Sequence, residues 1–296
     1  MNKIKIIIDS TSDLRPEEIQ KYDLAIAPLY VSFPDKTFID GVDLNTAKLY
    51  SLVDQCGVLP KTAARNPEFF EEMFDKYIKE GYDILCILIS SEFSSMYQAA
   101  KIASQDFDEN RIRVVDSRNL SSGIGLSVLK ACKLREEGKG LHEIADYLEK
   151  VIIPNVKAQF VVENLTYLHK GGRCSSTSYY FGKILNIHPE IVVRDGKMSV
   201  YRKPRGKMIK AYNELLDMIR EDLPNVDLDH IMITHSISPI GEQYLYEELS
   251  KMVPKESIMV TEAGCVISSH CGRGTIGILY ILKDKDEGAV KKLKSF

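Results

Sequence analysis

The sequence predicts an α/β protein made of two α/β domains, the first built on a parallel sheet. Three observations carry this. Short β-branched runs alternate with stretches of helical apolar spacing through the first half, the pattern that builds a parallel sheet covered by helices. A chain of 296 residues is long enough to favour two domains over one. The strand-like pattern also restarts after Pro154-Asn155.

In chain order, Ile4–Ile8 is the first strand. Ala25–Phe33 and Thr37–Ile39 flank Pro34-Asp35-Lys36 and read as a hairpin insertion spanning about 25–60. Pro67–Lys79, Ser95–Gln105 and Asn119–Glu137 have helical spacing, and Ile84–Ile89 and Ile112–Val115 are the strands between them. Leu141–Ile153 is a further helix, ended by Pro154. The first domain is therefore 1–158 and the second 159–296. In the second half, Val156–Val162 is a strand, followed by a short helix at Asn164–His169. Pro189–Val193 and Met198–Arg202 form a hairpin around an Asp195-Gly196 turn. Gly206–Glu221 and Gly241–Met252 are helices; Ile231–Thr234, Ile258–Thr261 and Ile276–Leu282 are strands.

Composition narrows the function. The net charge of −3 and the absence of a basic arm argue against a nucleic-acid partner. Apolar runs are too short to span a bilayer. The start lacks a signal-peptide pattern, and six scattered cysteines without a C-x-x-C pair predict a reduced, cytoplasmic protein. Cys265, His270 and Cys271 lack a second ligand pair, so no metal site is expected.

Chemistry concentrates where strands end. The apolar run Cys265-Val266-Ile267 and the run from Ile276 read as two buried strands with Ser268-Ser269-His270-Cys271-Gly272-Arg273-Gly274 between them. Glycine lets a ligand approach the backbone, so this is read as a polar ligand site centred on His270. Asp9-Ser10-Thr11-Ser12-Asp13, Ser90-Ser91-Glu92-Phe93-Ser94-Ser95 and Asp116-Ser117 end three strands of the first half, where open α/β sheets bind ligands. Asp9–Asp13 and Asp116-Ser117 read more readily as ordinary helix caps than as ligand contacts. Ser94 opens a helix, whose free N–H groups favour an anion. Lys61-Thr62-Ala63 offers a hydroxyl beside a cation in a loop.

Asp9-Ser10-Thr11-Ser12-Asp13-Leu14, Pro60-Lys61-Thr62, Ser90-Ser91-x-x-Ser94-x-x-Tyr97-Gln98, Val115-Asp116-Ser117, Leu168-His169-Lys170-Gly171-Gly172-Arg173 and Ser269-His270-Cys271-Gly272-x-Gly274 occur in this order over nearly the whole chain. Together they resemble the DegV family of bacterial fatty-acid-binding proteins, which includes the carrier subunit of fatty acid kinase. The resemblance implies a long-chain fatty acid buried between two domains. Its carboxylate would be held by Thr62, Ser94 and His270, with Ser95, Thr275 and Ile276 as further contacts. The bound acid would be the ligand, with no cofactor. It also implies a separate ATP-binding kinase subunit that converts the acid to an acyl phosphate for phospholipid metabolism, with transient membrane contact for ligand exchange. Arg173 and Arg202 are the candidates for partner contact or phosphotransfer. Ser95-Met96 stands where the family usually has Gly-Thr.

Two other functions compete. A serine hydrolase would use Ser94 and His270, but no G-x-S-x-G elbow surrounds Ser94. A substrate-binding subunit like that of dihydroxyacetone kinase rests on fold analogy alone. The chain lacks a G-x-x-x-x-G-K-[ST] loop, so a carrier without its own ATP site is expected.

Overall fold

The computed structural model describes residues 2–163, 165–173 and 187–284. Strand β1 (Lys3–Asp9) pairs in parallel with β2 (Ala25–Ala27). The hairpin β3 (Tyr30–Phe33) and β4 (Lys36–Ile39) joins β5 (Lys61–Ala63) in a separate antiparallel sheet of order β4–β3–β5. Strands β6 (Tyr82–Leu88) and β7 (Ile112–Asp116) complete the first sheet, β2–β1–β6–β7, parallel throughout. Ile6–Ile8 and Ile84–Leu88 are fully buried, as expected of parallel strands covered on both faces.

The second half builds one larger sheet. Its strands are β8 (Val156–Val161), β9 (Glu190–Arg194), β10 (Lys197–Arg202), β11 (Val226–Ser236), β12 (Ile258–Glu262) and β13 (Thr275–Leu282). The order is β10–β9–β8–β13–β11–β12, antiparallel except for β11–β12. One face, including Ala158, Phe160, Ile191 and Leu279, joins the core shared with the first half. The other, including Val161, Ile276, Ile278 and Tyr280, packs in a second core with residues of the helices Met208–Asp222 and Pro239–Leu249. The helix Ser122–Glu136 touches strands of both large sheets. Its first two turns, Ser122–Leu129, are apolar or small all round and fully enclosed, whereas Lys133 and Glu136 near its end are exposed.

The predicted α/β class, with a parallel sheet, a hairpin and a second sheet, is the class observed. Several local readings change. Ala25–Phe33 is not one hairpin arm: Pro28 and Leu29 break it, β2 belongs to the first sheet, and only β3 enters the hairpin. Lys61–Ala63 is a strand rather than a loop, because β3 offers it a free edge. Residues Thr46–Cys56 form a helix that the apolar pattern did not reveal, although Asn45 caps its start and Gly57 its end. Leu141–Tyr147 passes into a π-helical turn, Leu148–Ile152. The largest correction concerns Cys265-Val266-Ile267. These residues open the helix Cys265–Cys271 and are not a strand. Tertiary hydrogen bonds to its first N–H groups override the β preference of Val266 and Ile267. Of the predicted short helix, Thr166–Lys170 is observed; Asn164 lies outside the described residues. No helix among the described residues is long and apolar enough to cross a membrane.

Candidate functional site

A cavity of about 640 Å³ opens where the three-stranded sheet, the loop after β6 and the helix Cys265–Cys271 meet β8 and β10. That size suits a small-molecule ligand. Much of its wall is apolar, including Leu29, Ile89, Leu120, Phe160, Met198 and Ile267. Thr62, Ser94, Ser95 and His270 also line it. These four come from three segments far apart in the chain.

Each is placed by its own element. Thr62 is the middle residue of β5, opposite Val31. Ser95 is the N-cap of the helix Met96–Ala103, and the Ser94 hydroxyl accepts from the Met96 N–H at 3.4 Å. The free N–H groups of that helix start make this corner favourable to an anion. Met96 is fully buried, and its sulfur accepts from the Arg65 N–H at 3.2 Å. It packs in the core and is not part of the cavity wall.

His270 sits in the last turn of its helix, with Nε2 2.8 Å from Thr62 Oγ1. Its Nδ1 is buried without a hydrogen-bond partner. Gly171 presses against that side, where an added Cβ would come 2.3 Å from Nδ1. Burial, and then the charge of Arg173, push the imidazole pKa down to about 4, so the ring is neutral near pH 7. An orphaned N–H at Nδ1 would be costlier than an orphaned lone pair. The ring therefore keeps its proton on Nε2 and donates to Thr62, whose own O–H is left free to donate to a ligand.

Arg173 lies across the cavity wall. Its Nη1 donates to Gly171 O at 2.7 Å and its Nη2 to Phe93 O at 2.8 Å, tying the Gly-Gly-Arg segment to the Ser94 loop. Glu92, on the same rim, is 3.5 Å from Lys197.

The other expected residues lie elsewhere. Thr275 is buried, donates to Cys271 O at 2.9 Å and lines a smaller cavity of about 30 Å³. That cavity shares Leu120, Phe160, Ile267 and Cys271 with the larger one. Ile276 belongs to the second core, with Val161, and lines neither cavity. Arg202 pairs with Glu214 and is not part of the cavity wall. Cys265 Sγ and Cys271 Sγ donate to backbone carbonyls, of Leu44 and Ile267.

Sequence reasoning missed the groups beneath the site. Asp9 caps the turn Ser10–Ser12, as expected, but Asp13 and Asp40 accept from N–H groups more than 200 residues away. No local signal marks such a pairing.

The family model described as "Uncharacterised protein, DegV family" matches residues 3–283. A DegV domain-containing protein of Clostridium acetobutylicum is 38% identical over 286 residues, covering 96% of this chain and 100% of its own. A protein of Thermotoga maritima named as a fatty acid-binding protein is 32% identical over 283 residues, 93% of this chain and 96% of its own. A solved DegV family protein from Thermus thermophilus, described by its fatty acid binding, superposes with a TM-score of 0.86 at 29% identity, covering 95% of this chain and 99% of that one. Sequence and fold agree along almost the whole length: the chain belongs to the DegV family.

Proposed function

We propose that this protein binds a long-chain fatty acid between domains 1–158 and 159–296. The carboxylate lies at Thr62, Ser94 and His270, and the tail runs along the apolar wall. The observation that carries this reading is the Thr62–His270 pair, 2.8 Å apart, at a polar corner of a largely apolar cavity of about 640 Å³. Two hydroxyls, one of them oriented by a neutral imidazole that donates to Thr62, and a helix N-terminus supply donors without a metal. The smaller cavity past Ile267 and Cys271 continues the apolar path, and Thr275 borders it there.

The tail dominates the energetics. A tail of about 15 methylenes gives roughly 12 kcal/mol gross, at about 0.8 kcal/mol each. Association costs of about 4–15 kcal/mol remove much of this. The head group then sets orientation and selectivity.

The protein acts as a cytoplasmic carrier rather than an enzyme. It presents the carboxylate to a separate ATP-dependent kinase subunit and exchanges its acid by transient contact with a membrane. Arg173, beside the head-group corner, is suited to an acyl phosphate. Arg202 is assigned to the partner surface.

Native mass spectrometry of protein purified from a bacterial host tests the reading. An added mass that organic extraction removes and identifies as a fatty acid is the expected result. Protein that is always empty and takes up no labelled palmitate overturns it.

A further inference from the structure

Three buried acidic side chains, Asp9, Asp13 and Asp40, lie together behind the head-group corner. None of the ion pairs found among the described residues involves them. Burying such groups is expensive unless donors compensate. Here the donors are hydroxyls and backbone N–H groups, and apart from that of Thr11 those N–H groups belong to the two elements that carry Ser94 and His270.

Asp9 Oδ1 accepts from the Thr11 N–H at 2.9 Å, and its Oδ2 accepts from the Ile89 N–H at 2.6 Å, at the entry to the Ser94 loop. Asp13 Oδ1 accepts from the Gly264 N–H at 2.8 Å, and its Oδ2 from the Ser121 hydroxyl. Asp40 Oδ1 accepts from the Cys265 N–H at 2.9 Å, and its Oδ2 from the Ser10 hydroxyl at 2.8 Å. Gly264 and Cys265 begin the helix whose last turn holds His270. Gly264 has no side chain with which to cap this helix, and an added Cβ would stand 3.3 Å from Asp13 Oδ1 and 3.5 Å from Asp40 Oδ2. Seven residues span about 10 Å, so these acids hold His270 from the opposite end of the helix.

We propose that Asp13 and Asp40 are positioning residues for the head-group site: they fix the helix Cys265–Cys271 against the strand-end segment whose Asp9 holds the Ser94 loop, and so set His270 and Thr62 in register with Ser94. They touch no ligand themselves. The inference rests on the fatty-acid reading above and adds to it the groups that make the acid head distinguishable from a neutral one.

The test compares palmitate with hexadecanol, which shares the tail and lacks the carboxylate. Wild-type protein, Asp40→Ala, Asp40→Asn, Asp13→Ala and Asp13→Asn are titrated with both. The expected result is that the alanine variants lower the acid-over-alcohol preference by about tenfold, the scale of one hydrogen bond to a charged group. Their affinity for hexadecanol stays within about twofold of wild type, and asparagine, which keeps an acceptor oxygen, recovers much of the preference. Unchanged preference in the alanine variants overturns the inference, as does an equal loss of both affinities, the mark of a merely structural role. Should alanine prevent folding, Asp40→Glu displaces the acceptor by one methylene and is expected to lower the same ratio; an unchanged ratio overturns the inference. Wild-type protein that binds neither probe overturns the fatty-acid reading itself, and the inference with it.

Discussion

The two ends of the helix Cys265–Cys271 are built on opposite plans. At the N-terminal end every group described is engaged: Gly264 and Cys265 donate to Asp13 and Asp40, and the Thr46 hydroxyl donates to Ala263 O at 2.9 Å. Midway, Tyr50 OH lies 2.6 Å from Ser236 Oγ, which is 2.8 Å from Ser268 Oγ. At the C-terminal end, His270 has one bonded nitrogen and one bare one, and it faces a cavity. Rigidity is concentrated at one end and unused bonding capacity at the other. The comparison teaches that a short helix, too short to be stable by itself, can hold a cavity-facing side chain in place if its far end is anchored by the rest of the protein.

The contrast can be broken at the open end first. The double variant Thr62→Ala with Ser94→Ala should cost about 3 kcal/mol of fatty acid affinity, at 1.5–3 kcal/mol for each charge-assisted bond and with incomplete additivity. Stability should fall by about 1 kcal/mol, because Thr62→Ala leaves the His270 Nε2–H without its partner, and tail binding should persist. Calorimetric titration with palmitate checks this; unchanged affinity moves the head group elsewhere.

At the closed end the effect should fall on stability. Asp40→Ala strands the Cys265 N–H and the Ser10 hydroxyl, and should cost about 2 kcal/mol in urea unfolding. A loss below about 0.5 kcal/mol, the level of an ordinary surface substitution, would remove the anchor from the account.

His270 sharpens the difference more finely. His270→Ala should weaken palmitate by about 1 kcal/mol, and His270→Gln should recover part of it, because a donor remains. The same pair also tests hydrolysis: cleavage of a p-nitrophenyl ester by wild type, lost in His270→Gln, would favour an enzyme.

A further test of the closed end is a pH slope. Burial pushes Asp13 up to about 8, above its ordinary value of 3.8. The folded state then holds a proton that the unfolded state releases, so this contribution is full below about 4 and is lost as pH rises towards 8. His270, held down at about 4, works the other way and destabilises as pH falls below 6.5. Between pH 6.5 and 8 Asp13 acts in the same direction as Glu190, which burial pushes up to about 7, and as Asp40, which burial also raises, so the melting temperature should fall with rising pH. Asp13→Asn should flatten that slope; an unaltered slope would assign it to another group.

The sequence made the fold class plain because Ile4–Ile8 and Ile84–Ile89 are near-continuous apolar runs between helical patterns. It misplaced Val266 and Ile267 because their β preference is a local property, whereas their helix is held by Asp13 and Asp40. Lys61–Ala63 is too short and polar to show alternation, and only its pairing with β3 makes it a strand. Thr62, Ser94 and His270 were legible chiefly through the ordered motifs. Taken one at a time, a loop threonine, a helix-cap serine and a histidine beside glycines are common. What was not legible is the partnership across more than 200 residues, which depends on the folded arrangement of both halves.

The most direct measurement is a crystal structure of the protein with palmitate bound. The account predicts the carboxylate within about 3 Å of Thr62 Oγ1 and Ser94 Oγ, with the helix Cys265–Cys271 still held by Asp13 and Asp40. It also predicts the tail along Phe160 and Ile267. A tail packed against His270, with the carboxylate in solvent or at another wall of the cavity, would contradict it.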